Sequence, residues 1–102
     1  MSKSSLDLQH QDRVEYKKPS LYNVVILNDD YTLIEFVVVV LVEVFHKSLD
    51  DASALALKIH QQGFAVAGVF TKEIAETKIH LVEGAAQKAG HPLRAVLEPA
   101  DS

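Results

Sequence analysis

Apolar and polar positions fall into blocks along this chain, and their periods mark out six elements. Residues 22–27 are β-branched and hydrophobic, as in a strand buried on both faces. A polar break follows, and then residues 33–45. Within them the unbroken stretch from Val37 to Val42 favours a strand on propensity, because β-branched side chains lose χ1 freedom in a helix. The spacing of Ile34, Val37, Val38, Leu41 and Phe45 instead draws one face of a helix, and Thr32 followed by Glu35 has capping-box spacing. We read a helix, which leaves Val39 and Val42 at least partly exposed.

Ser48 is a natural N-cap for a second helix, with Asp50 and Asp51 in the first turn, where the helix dipole favours them. Ala52, Leu55, Ala56 and Ile59 share its apolar face, and Gly63 is a natural stop. Residues 64–70 predict a strand, with Gly68 marking a bulge or a close backbone approach. Thr71 caps a third helix whose buried stripe is Ala75, Ile79, Val82, Ala86 and Ala89, and Gly90, His91 and Pro92 end it. Residues 93–98 close as a strand with Leu93, Ala95 and Leu97 on one face, and the chain frays from Pro99. The order β-α-α-β-α-β implies an α+β domain, a small sheet covered on one side by helices.

Composition narrows the function classes. The 102 residues suit one domain with a modest core. Residues 1–19 are too polar to offset the entropy of ordering and are expected to form a flexible tail, with residues 20–102 as the folded domain. The absence of cysteine excludes disulfides, thiolate nucleophiles and thiolate zinc sites. A net charge of −4, with no basic cluster beyond Lys17 and Lys18, argues against nucleic acid as a partner. The N-terminus has no secretory h-region, and the run from Val37 to Val42 is far too short to span a bilayer, so a cytoplasmic protein without membrane contact is expected.

Chemistry concentrates where the first strand gives way to the first helix. Asn28, Asp29 and Asp30 sit at the rim of the core, and we take this junction as the candidate site. Adjacent acids in an extended segment point to opposite sides, so Asp29 and Asp30 do not make a shared-proton dyad. His60, at the end of the second helix, has the ordinary reading of a dipole-stabilised residue. No His-x-x-x-His spacing, Gly-rich phosphate loop or nucleophile elbow is present, and neither a metal nor another cofactor is expected. A small metal- or carboxylate-dependent hydrolase using Asp29, Asp30 and His60 is the alternative reading. The better fit is recognition of a cation carrying an apolar body, such as a free α-ammonium and its side chain.

Residues 22–32, with Glu35, Phe36 and Val37, closely resemble the ClpS family of adaptors for ATP-dependent Clp proteases. So do His60-Gln61-Gln62-Gly63, Gly68-Val69-Phe70-Thr71, the segment from Ile74 to Lys78, and His91-Pro92-Leu93. The resemblance implies a three-stranded antiparallel sheet packed against three helices, and a monomeric, non-catalytic adaptor. Such adaptors bind proteins that begin with Leu, Phe, Tyr or Trp and hand them to the N-terminal domain of an AAA+ unfoldase, ClpA or a ClpC-type relative. It implies that Asn28, Asp29 and His60 hold the α-ammonium, with Asp30 and Thr32 bordering them. Ile34, Val37, Ala56, Ile59 and Leu93 would wall the side-chain pocket, and Tyr31, Glu73 and Lys78 would face the unfoldase. The tail would engage the unfoldase during delivery. Many members carry methionine at the positions of Ile34 and Ala56, and the smaller Ala56 implies a pocket that favours large aromatics over Leu.

Overall fold

The computed structural model describes residues 20–100; the expected tail lies outside them, as do residues 101 and 102. The first apolar run becomes the central strand, β1 (Leu21–Leu27), of a three-stranded sheet. Strand β2 (Phe64–Thr71) lies on one side and β3 (Arg94–Pro99) on the other, both antiparallel to β1. Helices α1 (Ile34–Glu43), α2 (Leu49–Gln62) and α3 (Lys72–Ala89) complete the expected β-α-α-β-α-β order. Helix α3 packs on all three strands, α2 packs on β2, and α1 packs on α2.

Burial of β1 has two different causes. Val24 and Ile26 are fully buried in the core with Ala65, Ala95, Ala52, Ile59 and Val82. Val25 points the other way, and among the described residues no element covers that face. It is buried because its cross-strand partners Val66 and Val96 flank it, and they remain 41% and 39% exposed. The expectation of a strand buried on both faces is thus corrected: helices cover one face only.

The valine run is helical. Val37, Val40 and Leu41 are buried, whereas Val39 is 53% exposed and Val42 is partly buried. The core needs a stripe at helical spacing, and packing against α2 overrides the β propensity of the individual residues. The helix ends at Glu43, short of Phe45, and His46 takes the left-handed φ of 58°. Lys78 Nζ donates to the Val44 carbonyl at 2.7 Å and lies 5.6 Å from the centre of the Phe70 ring, so a side chain of α3 holds the end of α1.

Other boundaries follow local chemistry. Ser48 Oγ accepts the Asp51 amide at 3.1 Å, and Gly63 and Gly90 end α2 and α3 at φ of 95° and 80°. Thr71 occupies the N-cap of α3 without a side-chain cap bond. The β1–β2 register shifts between Val24 and Val25, which leaves Ala67 as the extra residue of a bulge beside Gly68. The expected bulge is present, and a Cβ on Gly68 would lie 2.6 Å from Phe70 Cζ, so what crowds this glycine is an aromatic side chain rather than another backbone. Pro99 does not fray: it pairs with Tyr22, and the Ala100 amide donates to the Leu21 carbonyl at 3.0 Å. On the edge strand β3, the Ala95 amide donates to Glu83 Oε2 (3.2 Å), which also accepts Arg94 Nε at 2.8 Å.

The helical reading of the valine run has a direct test. Leu41→Ala empties a fully buried site and is expected to cost about 2–5 kcal/mol in urea unfolding. Val39→Ala is expected to stay within about 0.5 kcal/mol of the wild type, because that side chain faces solvent.

Candidate functional site

Where β1 ends, the chain makes a turn organised by one carboxylate. Asp29 Oδ1 accepts the amides of Tyr31 (2.8 Å) and Thr32 (2.7 Å), and Oδ2 accepts the Thr32 hydroxyl (2.7 Å). An aspartate that bonds backbone amides two and three residues ahead is a common way to close such a turn. The arrangement corrects the expected capping box. Leu33, not Thr32, is the N-cap of α1, with no side-chain cap bond; Thr32 stands one residue outside it, and its hydroxyl donates to Asp29.

Burial alone would raise the Asp29 pKa. The hydrogen bonds from the Thr32 hydroxyl and from the Thr32 and Tyr31 amides, with the charge of His91, outweigh it and hold the carboxyl below its ordinary value. Glu83 behaves similarly: desolvation pushes up, while Arg94, the Ala95 amide and His80 pull its pKa down further. Asp29 and Asp30 therefore differ in what they offer. Three of roughly four acceptor sites on Asp29 are taken, whereas Asp30 is exposed and bonds to none of the described residues.

The turn forms one side of a cavity of about 370 Å³. Asn28, Asp29, Asp30 and His60 line it with polar groups, joined by Thr32, while Ile34, Val37, Ala56 and Ile59 supply apolar lining. Two elements meet there because the Asn28 amide donates to the Gly63 carbonyl at 2.8 Å, which ties the exit of β1 to the end of α2. The side chains of Asn28 and His60 bond to none of the described residues and are exposed. Among the described residues, no three His, Asp or Glu side chains gather as metal ligands, and no helix is long and apolar enough to cross a membrane.

Of the residues expected to wall the pocket, Leu93 does not line the cavity. It is 2% exposed within the same buried cluster as Val37, Ala56 and Ile59. Leu33, Glu35 and Tyr31 line it as well. Leu33 and Glu35 were not foreseen, and their only signal was position in the first turn of a helix that opens on the site. His91 was also missed as a neighbour; its ring lies 4.6 Å from that of Phe36, and its charge acts on Asp29. Tyr31 is 80% exposed and Glu73 is exposed, while Lys78 is half-buried and gives one of its three ammonium donors to the Val44 carbonyl.

The lowered Asp29 and Glu83 pKa values give a pH dependence. The folded pKa of Asp29 lies below that of an unfolded aspartate. Its contribution is therefore complete above the unfolded pKa and is lost as pH falls through the folded one. Asp29→Asn is expected to cost about 1 kcal/mol at neutral pH, discounted for partial exposure, and almost nothing in strong acid. Urea melts at both pH values measure this, and an equal cost at both would contradict it.

Comparison with known proteins bears on the whole described region. The family described as ATP-dependent Clp protease adaptor protein ClpS matches residues 17–96. An ATP-dependent Clp protease adapter protein ClpS from Acetivibrio thermocellus is 47% identical over 92 residues, covering 90% of this chain and 93% of that one. The Myxococcus xanthus protein of the same name is 50% identical over 96 residues, covering 94% and 90%. Among solved structures, Agrobacterium tumefaciens ClpS2 bound to L-phenylalaninamide superposes with a TM-score of 0.78 at 44% identity, covering 80% of this chain and 99% of that one. With this match along the sequence and the same arrangement of sheet and helices, the chain belongs to the ClpS family of adaptor proteins of the ATP-dependent Clp protease.

Proposed function

We propose that this adaptor captures the free amino terminus of proteins beginning with a bulky hydrophobic residue and delivers them, uncleaved, to a Clp unfoldase. The observation that carries the reading is the pairing of unbonded polar groups with an apolar recess in one cavity. Asn28, Asp30 and His60 have hydrogen-bonding capacity to spare, and Ile34, Val37, Ala56 and Ile59 lie beside them. The similar Agrobacterium protein holds L-phenylalaninamide, a free α-amino group on an aromatic residue, which supports the same ligand class here.

The roles follow from what each group still has to give. An α-ammonium offers three donors. The Asp30 carboxylate and the Asn28 carbonyl oxygen are acceptors that the fold leaves free, and the His60 ring lies beside them in the same cavity. Asp29 keeps about one acceptor site and serves mainly to hold the turn, which shifts the chief anionic role from Asp29 to Asp30. Thr32 borders the site. Ala56, 1% exposed, is a small residue at the base of the recess. Tyr31, Glu73 and Lys78 are the surface for the N-terminal domain of a ClpA- or ClpC-type unfoldase, with Lys78 also holding the end of α1.

Two experiments test the reading. A short peptide starting with Phe is expected to bind in calorimetry and stay intact, and its N-acetylated twin to bind at least about 100-fold more weakly. That factor corresponds to two charge-assisted hydrogen bonds at about 1.5–3 kcal/mol each. Equal binding of the twins would refute amino-terminal recognition, and cleavage would favour a hydrolase. Across peptides that differ only in the first residue, Phe, Tyr and Trp are expected to bind about tenfold or more tightly than Leu, because Ala56 leaves room that Leu does not fill. Leu binding as tightly as Phe would remove this role from Ala56.

A further inference from the structure

Thr32 stands just before a helix, yet its hydroxyl caps nothing. It donates to Asp29 Oδ2 at 2.7 Å while the Thr32 and Tyr31 amides hold Oδ1. A carboxylate gripped on both oxygens cannot rotate about χ2 without breaking a bond, so the turn from Asp29 to Thr32 is closed by a fixed brace. The residues on either side of Asp29 in sequence are Asn28 and Asp30. Both line the cavity, and both keep their side chains free of the described residues. The brace thus orders the backbone that carries the ligand groups without consuming those groups, and ordering them beforehand lowers the entropy lost on binding.

We propose that Thr32 is a positioning residue for amino-terminal capture: its hydroxyl pins Asp29, and the pinned Asp29 holds Asn28 and Asp30 where the ligand needs them. The proposal rests on the reading of the site as an amino-terminus receptor. It depends on the hydroxyl alone, so serine at this position preserves the effect and the near-isosteric valine abolishes it.

Calorimetry with a Phe-initiated peptide, paired with NMR titration of the Asp29 carboxyl carbon, tests this. Thr32→Val is expected to weaken binding by about tenfold and to raise the Asp29 pKa, whereas Thr32→Ser stays within about twofold of wild type in affinity and keeps the pKa low. Val binding like wild type, or Ser failing as badly as Val, overturns the proposal and leaves the amino-terminus reading intact. No binding by the wild-type protein overturns both. Should Thr32→Val not fold, the wild-type protein decides the matter. On peptide addition the Asn28 side-chain amide and the Asp30 carboxyl should shift, while Asp29 and the Thr32 amide hardly move. A large Asp29 shift would mean that the turn is rebuilt on binding, and the proposal fails.

Discussion

One hydrogen bond, from the Asn28 amide to the Gly63 carbonyl, sets the geometry on which the cavity depends. It falls just beyond the Leu27–Phe64 pair, where the β1–β2 ladder ends, and its acceptor is the residue whose left-handed φ turns α2 into β2. His60 lies three residues before Gly63 and Asn28 one residue after Leu27, so a single closure brings the end of a helix beside the end of a strand. Only a residue that tolerates positive φ can reverse the chain there within one position, and glycine does so without steric cost. The polar mouth of the cavity is therefore a product of sheet registration.

Much of the fold was legible because burial imposes a period. The helical stripe from Val37 to Leu41 outweighed the strand propensity of its valines, and Ser48, Gly63 and Gly90 announced their boundaries through local bonding. The candidate site was legible mainly through its residue types. Asn28, Asp29, Asp30 and His60 were picked out with the apolar residues that prove to line the same cavity. What escaped was where the turn ends. Thr32 and Glu35 had the right spacing for a capping box, but α1 starts one residue later, with Leu33 at its N-cap, and the Thr32 hydroxyl donates to Asp29. Leu93 was assigned to the wall by family likeness, and only the packed core reveals that the cavity does not reach it.

Two adjacent carboxylates have divided their labour in this turn. Asp29 is turned inward to the backbone and held ionised by its donors, and Asp30 is left to solvent and to whatever enters the cavity. Sequence spacing alone does not distinguish them, since either could have closed the turn. The choice is made by which side chain meets amides two and three positions ahead, a matter of backbone direction at the exit of β1. Lys78 shows a similar division on α3, where one cation both finishes a neighbouring helix and lies over an aromatic ring.

The carboxylate of Glu83 has a consequence beyond its ion pair with Arg94. By occupying the Ala95 amide on the rim of the sheet, it removes a docking point that an extended foreign polypeptide would need in order to zip on as a fourth strand. With that amide already bonded from within, this position on the edge has no donor left to offer a further strand.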